Sequence, residues 1–290
     1  MAEVAVVTGA NSGIGRATAI HLAKQGMRVL GTVRSEGKAE KLNAMAKQAG
    51  ASVELVVMDV ASDESVQRGF EEIHARAGRV DHLVNNAGVG GNAVAEECTV
   101  ALYHDVMNVN LYGAVRCIHA VLPQMRARRS GTIVNVSSVV GKIAAIGQQP
   151  YFTSKWALEG MSEGLAQEVA PFGIRVAIVE PGLTKSAIFA KNIDGPNKTG
   201  AYDAHYRRLF QFYAVGIANA TDPFEVGAVV HRAITTREPQ LRYAVSWGAR
   251  EMIEGRARMS DREWIALGAI EDDTAYYDAF EKHFGVRIHP

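Results

Sequence analysis

The chain has 290 residues, 48% hydrophobic and 21% charged, with 31 basic and 31 acidic side chains and a formal net charge of zero. That composition suits a globular protein long enough to bury a substantial core. The balanced charge argues against nucleic acid as a partner, and no apolar run approaches the ~18 residues that a membrane-spanning helix needs.

Residues 4–8 form an unbroken apolar run, expected to be a strand buried on both faces. Thr8-Gly9-Ala10-Asn11-Ser12-Gly13-Ile14-Gly15 follows, then a helical pattern through Gln25 that Gly26 stops. A glycine-rich turn between a first strand and a first helix lets backbone approach a pyrophosphate, and the helix N-terminus offers free N–H groups. The spacing is G-x-x-x-G-x-G, and its bland alternative is a tight turn with no ligand. A second strand over Arg28–Val33 ends in Arg34-Ser35, where a dinucleotide fold places the adenosine ribose. No carboxylate stands at Thr32 or Val33 to bind an unphosphorylated ribose. Arg34 therefore favours a 2′-phosphate, unless the strand runs on and brings Glu36 to the ribose.

A helix is expected over about Lys38–Ala49 and a third strand over Val53–Met58, ending at Asp59-Val60. Asp59 suits either an adenine contact or the start of a loop. Ser62 or Asp63 opens the next helix and Gly78 closes it; a fourth strand, Asp81–Val84, leads into Asn85-Asn86-Ala87-Gly88, small enough for close backbone approach. Val100–Arg129 is mostly helical and carries Asn110 in mid-helix, an unfavourable place for asparagine that needs a reason. The fifth strand, Gly131–Val136, ends on Ser137-Ser138, where open α/β sheets bind ligands. Tyr151 opens a helix that Pro171 and Gly173 end. Val176–Val179 is a sixth strand, followed by Glu180-Pro181-Gly182-Leu183-Thr184-Lys185-Ser186. Residues 187–220 lack a clean period and carry Tyr202, Tyr206, Phe210, Phe212 and Tyr213. Asp222-Pro223-Phe224-Glu225 starts a helix running to about Thr236, Arg242–Ser246 is a short seventh strand, Ser260-Asp261-Arg262-Glu263 is a capping box, and residues 273–284 look helical. Strands alternating with helices imply an α/β fold with one doubly wound parallel sheet of about seven strands, a Rossmann fold with a C-terminal helical extension.

The stretch that carries chemistry is Tyr151-Phe152-Thr153-Ser154-Lys155. Four residues apart on a helix, Tyr151 and Lys155 share a face. A cation beside a phenol favours phenolate, which would bring its pKa down from ~10 toward a range useful for acid–base work. Ser138 lies 13 residues upstream, with a hydroxyl suited to a substrate oxygen. Cys98 and Cys117 form no C-x-x-C and read as reduced thiols; with no basic and apolar leader before Val4, a cytoplasmic protein is expected. His21, His74, His82, His104 and His119 fall at unrelated spacings, and no metal site is expected.

Thr8–Gly15, Asp59, Asn85–Gly88, Asn110, Ser138, Tyr151 with Lys155, and Pro181-Gly182 occur in the order of the short-chain dehydrogenase/reductase family, which the chain resembles over about residues 3–247. Thr32-Val33-Arg34, Pro150 and Glu180-Pro181-Gly182 resemble its NADP-preferring members acting on steroids, retinoids and other carbonyls. The resemblance implies Tyr151 as acid/base and Lys155 as the cation that lowers its pKa and holds the nicotinamide ribose. It implies Ser138 as the group that positions the carbonyl, and Asn110 as the holder of a water linking Lys155 to solvent. Cofactor contacts are implied for Gly9, Asn11, Ser12, Gly13, Ile14, Gly15, Asp59, Val60, Asn86, Ala87, Gly88, Pro181, Gly182, Thr184 and Ser186. Ser186 stands where the family usually has threonine. Ser12 replaces the family's basic residue in the turn, leaving the 2′-phosphate to Arg34 with Ser12, Ser35 or Lys38.

The expectation is an NADP(H)-dependent oxidoreductase moving a hydride between nicotinamide and an apolar ketone, aldehyde or secondary alcohol, with NAD(H) the less favoured cofactor. A 3-oxoacyl-thioester reductase is the alternative enzyme, and a non-catalytic NADP-binding sensor or scaffold the alternative of another class. Residues 1–290 are expected to be one domain, with a substrate lid over about 187–220 carrying Leu183, Ile188, Phe189, Ile193 and Val215 nearby, and an extension over 248–290. A homodimer or homotetramer is expected on the helices of Val100–Arg129 and Tyr151–Val169.

Overall fold

A computed structural model of the chain describes residues 2–186 and 195–290. Seven parallel strands form one sheet in the order β3-β2-β1-β4-β5-β6-β7. They are β1 (Val4–Val7), β2 (Arg28–Val33), β3 (Val53–Val57), β4 (His82–Asn85), β5 (Gly131–Val136), β6 (Ile174–Pro181) and β7 (Arg242–Val245). The order reverses between β1 and β4, where a crevice opens at the carboxyl ends of the strands.

The strands read as unbroken apolar runs because both faces are covered. Successive side chains point to opposite faces, so each strand feeds two cores. Val6, Leu83 and Ile133 pack on one face with α3 (Asp63–Ala77), α5 (Gly113–Arg128) and α6 (Gln149–Val169). Val7, Val84 and Val134 pack on the other with α1 (Gly13–Lys24), α2 (Glu40–Gln48) and α8 (Pro223–Thr235). Among the described residues, no helix is long and apolar enough to cross a membrane.

Several boundaries differ from the sequence reading. The helix that carries the tyrosine begins at Gln149, with Pro150 in its first turn and no side-chain cap, so Tyr151 lies inside it rather than opening it. Val100–Arg129 divides into α4 (Val100–Met107) and α5, joined by a π-helical turn over Asn108–Tyr112. Within the segment that lacks a clean period, Asp203–Ala218 form a helix, α7; Ile188, Phe189 and Ile193 lie outside the described residues.

Beyond β7, α9 (Ala249–Arg258), α10 (Asp261–Gly268) and α11 (Asp273–Phe284) build a third core, with Phe284, Met252 and Tyr277 buried against Val139, Val140 and Ile143. The capping box at Ser260 and Glu263 forms as expected. This extension grips α7. Arg208 donates to Asp273 at 2.8 Å and to the Glu271 carbonyl at 2.9 Å, and its guanidinium lies 4.2 Å from the Tyr276 ring centroid. Gln211 donates to the Ile288 carbonyl, and Phe212 meets Phe280 and Trp247.

Candidate active site

The crevice encloses a cavity of about 370 Å3. Its floor is the turn between β1 and α1, where Gly9, Asn11, Ser12, Gly13, Ile14 and Gly15 all face the cavity. Gly9 has a φ of +67°, open to glycine at little cost. A Cβ on Gly15 would stand 2.3 Å from Asn86 Nδ2 and 2.4 Å from the Gly9 carbonyl oxygen, so the turn closes only without one. Thr8, which the sequence reading left out of the site, is the clasp. Its hydroxyl accepts from the Asn86 and Ala87 N–H groups at 3.0 Å each, while Asn86 Nδ2 donates back to the Thr8 carbonyl at 2.9 Å. The β1 turn and the Asn86-Ala87-Gly88 loop after β4 are thereby one rigid wall of the crevice.

The far end of the cavity is lined by Arg34, Asp59 and Val60. β2 stops at Val33, so Arg34 is the first residue past the strand; it is exposed and forms no ion pair among the described residues. Glu36 sits in the turn beyond and does not reach the cavity, nor do Ser35 and Lys38. Asp59 faces the cavity, and its Oδ1 accepts from Ala61 N–H at 3.0 Å at the start of the loop after β3. Glycine backbone, a helix N-terminus and an unpaired guanidinium fit an anionic dinucleotide.

At the other end, Ser138, Tyr151 and Lys155 converge on the cavity from the end of β5 and the first turns of α6. Ser138 accepts from Val140 N–H at 3.3 Å, donates to the Pro181 carbonyl at 3.4 Å, and is hydrogen-bonded to the Tyr151 hydroxyl. Lys155 Nζ donates to the Val136 carbonyl at 2.9 Å and stands 5.7 Å from the centroid of the Tyr151 ring. The expected depression of the phenol's pKa by this cation is not what the structure gives. Burial pushes Tyr151 up, with the Ser138 hydrogen bond pulling the other way. Burial also draws the Lys155 ammonium down to about 8 against the attraction of Glu159. Both shifts have one physical origin, the cost of charge in a dry site.

Asn110 lies behind the cavity wall rather than on it. It is buried at the centre of the π-helical turn, and its side chain is engaged by protein. Oδ1 accepts from Val89 N–H at 2.8 Å, and Nδ2 donates to the Val89 carbonyl and to Ser154 Oγ at 2.9 Å each. That resolves the puzzle of an asparagine in mid-helix: the widened turn points it at a loop whose backbone it completes.

Pro181, Gly182, Thr184 and Ser186 continue along the crevice from the end of β6, with Thr184 Oγ1 2.8 Å from Ser246 Oγ. The lining also carries a polar group of which the sequence reading had only Tyr213, among the aromatic residues of 187–220. Gln148 Nε2 donates to the Tyr213 hydroxyl, which donates to Asn92 Oδ1 at 3.0 Å. Gln148 and Tyr213 face the cavity with Val140, Leu183 and Phe212, an otherwise apolar wall next to Tyr151. Only α7 puts Phe212 and Tyr213 there, and the extension holds α7. No group of three or more metal-ligating side chains occurs among the described residues.

Comparison with known proteins agrees with this geometry. The family model described as short chain dehydrogenase matches residues 3–197. Retinol dehydrogenase 8 of Bos taurus is 35% identical over 253 residues, covering 82% of this chain and 79% of that protein. A short-chain dehydrogenase from Streptomyces avermitilis, of known crystal structure, superimposes with a TM-score of 0.80 at 36% identity, over 93% of this chain and 98% of its own. Actinorhodin polyketide ketoreductase, solved with NADPH, gives a TM-score of 0.73 at 30% identity, over 84% of this chain and 95% of its own.

Proposed function

Because the chain belongs to the short-chain dehydrogenase/reductase family and is an oxidoreductase of alcohol and carbonyl groups, we propose that it is an NADP(H)-dependent carbonyl reductase or alcohol dehydrogenase for an apolar substrate of medium to large size. The observation that carries this reading is the convergence of Ser138, Tyr151 and Lys155 on one end of a cavity whose other end offers Arg34.

When bound, the nicotinamide supplies or accepts the hydride. The Ser138 hydroxyl, held against Pro181 and Val140, presents itself to a substrate carbonyl oxygen. In reduction the Tyr151 O–H gives its proton to that oxygen, so an upward-shifted phenol arrives in the form the step needs. Lys155, held at the Val136 carbonyl, offsets the negative charge left on Tyr151. Oxidation of an alcohol reverses each move. Asn110 keeps the 88–90 loop and α6 in register through Val89 and Ser154.

The substrate wall of Val140, Leu183 and Phe212 supports an apolar ligand, with Gln148 and Tyr213 as its polar anchors. The name of the retinol dehydrogenase relative is in accord. The polyketide ketoreductase likeness favours one neighbouring reading, reduction of a 3-oxoacyl thioester. Unpaired thiols at Cys98 and Cys117 support a reducing, cytoplasmic setting. Exposed Tyr112 and Trp156, on the segments where a second copy is expected, support a homo-oligomer.

The test is NADPH oxidation with retinal-type aldehydes, long-chain ketones, a 3-oxoacyl thioester and short charged 2-oxo acids. Turnover of the apolar carbonyls is expected. A marked preference for the 2-oxo acids, or binding of NADPH with no turnover of any carbonyl, would overturn the reading.

A further inference from the structure

Helix α7 is pinned by a residue that does not line the cavity. Glu97, in the segment between β4 and α4, is 7% exposed, and both oxygens of its carboxylate are engaged. Oε1 accepts from the Lys198 and Thr199 N–H groups at 2.8 and 2.9 Å and from Thr199 Oγ1 at 3.0 Å. Oε2 accepts at 2.8 Å from the hydroxyl of Tyr206, in the first turn of α7. Every one of these donors is neutral, and among the described residues no lysine or arginine side chain pairs with Glu97. Burying a carboxylate without a cation is costly, so its place here asks for a reason.

The reason lies in what the segment around Glu97 joins. It is tied to the start of α6, where Gln149 N–H donates to the Ala93 carbonyl at 3.1 Å, close before Tyr151. It also meets α7 at two levels. Val94 N–H donates to the Tyr206 hydroxyl at 3.2 Å, and Asn92 Oδ1 accepts from the Tyr213 hydroxyl at 3.0 Å. Tyr206 and Tyr213 are about two turns apart and share a face of the helix. Arg208 and Gln211 turn instead to the extension. Helix α7 is thus gripped from two sides, and Phe212 and Tyr213, which it brings to the cavity, lie beyond the Glu97 contact. By gathering Lys198, Thr199 and Tyr206 on one carboxylate, Glu97 denies the helix a pivot about the Tyr213 contact.

We propose that Glu97 is a positioning residue for the substrate end: as a fixed acceptor it holds α7 against the 92–97 segment, so that Phe212 and Tyr213 close on an apolar substrate beside Tyr151. The inference rests on the carbonyl-reductase reading of the cavity made above. It predicts a loss that scales with the substrate's apolar bulk and spares the chemical step. A ligand that needs the wall in place loses apparent affinity in proportion to the fraction of molecules that have it there.

Two measurements on the full chain test it. The first is steady-state reduction by NADPH of a retinal-type aldehyde and of propanal, which offers the wall little apolar surface. Glu97→Ala should raise KM for the retinal-type aldehyde roughly tenfold, the result of a wall in place in about one molecule in ten, with kcat and the rate on propanal little changed. Glu97→Gln keeps an acceptor for Lys198 and Thr199 and turns its N–H toward the Tyr206 hydroxyl, which can accept, so it should recover most of the loss. The second is amide hydrogen exchange, which should quicken over Asp203–Ala218 in Glu97→Ala and hold steady over α6. Tyr206→Phe keeps the ring stacked on Phe210 and removes only the hydroxyl; it carries the same two readouts in smaller measure should the alanine chain not fold. An equal loss on both aldehydes, an unchanged KM, a glutamine variant as impaired as the alanine one, or exchange that quickens evenly along the chain overturns the proposal. Failure of the underlying reading looks different: wild type would reduce neither aldehyde, while exchange over α7 still quickened in Glu97→Ala.

Discussion

Arg34 is the residue on which cofactor choice should turn. It is the first residue beyond β2, exposed at the crevice, and pairs with no carboxylate among the described residues. A guanidinium with no internal partner is available to a 2′-phosphate, and Glu36, which would have favoured an unphosphorylated ribose, stays outside the cavity. A hydrogen bond to a charged group contributes ~1.5–3 kcal/mol net. The exposure of Arg34 places its contribution at the low end, ~1.5 kcal/mol, or roughly tenfold in affinity. Arg34→Ala should therefore lower the NADPH/NADH ratio of kcat/KM about tenfold, chiefly through KM for NADPH, with turnover on NADH little changed. Arg34→Glu adds repulsion to the lost attraction and should carry the preference past unity to NADH. Because the contact is exposed, the wild-type ratio should shrink as ionic strength rises. The assay is initial rates with each cofactor at a saturating apolar aldehyde. A wild type that prefers NADH, or an Arg34→Ala enzyme with an unchanged ratio, refutes the argument.

Three other perturbations have defined outcomes. Tyr151→Phe removes the proposed proton donor and should cost roughly 10²–10⁴ in kcat while NADPH still binds, as read by fluorescence titration; turnover within threefold of wild type would reject the assignment. Asp273→Ala strands the buried Arg208 guanidinium, a loss of ~3–5 kcal/mol at 2–4 °C per kcal/mol, so calorimetry should show Tm lower by roughly 6–20 °C. Glu97 accepts from Lys198 N, Thr199 N and Oγ1, and Tyr206 OH; burial opposes these bonds, but together they hold its carboxyl below the usual range. A depressed folded pKa gives stability that is present above the ordinary carboxyl range and lost as pH falls through the lowered value. Glu97→Gln should flatten that acid limb of the thermal stability curve.

How much of this was open to a reader of the sequence depends on how local each signal is. The strands are legible because a sheet covered on both faces admits only apolar residues. Helix α3 is legible because Ser62, its cap, accepts from Ser65 N–H within the same turn. Helix α9 is not. Its ten residues bury only Ala249, Met252 and Gly255, so no apolar stripe marks it, and it forms because Met252 finds Val139 and Val140 far away in the chain. Helix α7 hides for another reason. Tyr206, Leu209, Tyr213 and Gly216 do follow a helical period, but the buried Arg208 breaks it, and only the extension, through Asp273, the Glu271 carbonyl and the Tyr276 ring, explains why an arginine is inside.

The same distinction runs through the candidate site. Residues whose roles are set by backbone, such as the glycines of the β1 turn, are fixed by spacing alone, since Gly15 has no room for a Cβ. Residues whose behaviour is set by the field around them are not. The i, i+4 relation of Tyr151 and Lys155 places both on one face, yet it cannot weigh the attraction between them against the cost of burial. That cost is set by β5 and β6, which flank α6 in the chain, and by the distant C-terminal extension, and none of the three is visible in the four-residue spacing itself. Burial moves the phenol up and the ammonium down, so a sequence rule that counts only the nearby cation gets the direction for Tyr151 wrong. The proposed chemistry survives the correction, because a protonated phenol is the competent form for delivering a proton to a carbonyl. What must be supplied is a counter-charge for Lys155, and Glu159, four residues along the same helix, stands where it can provide one.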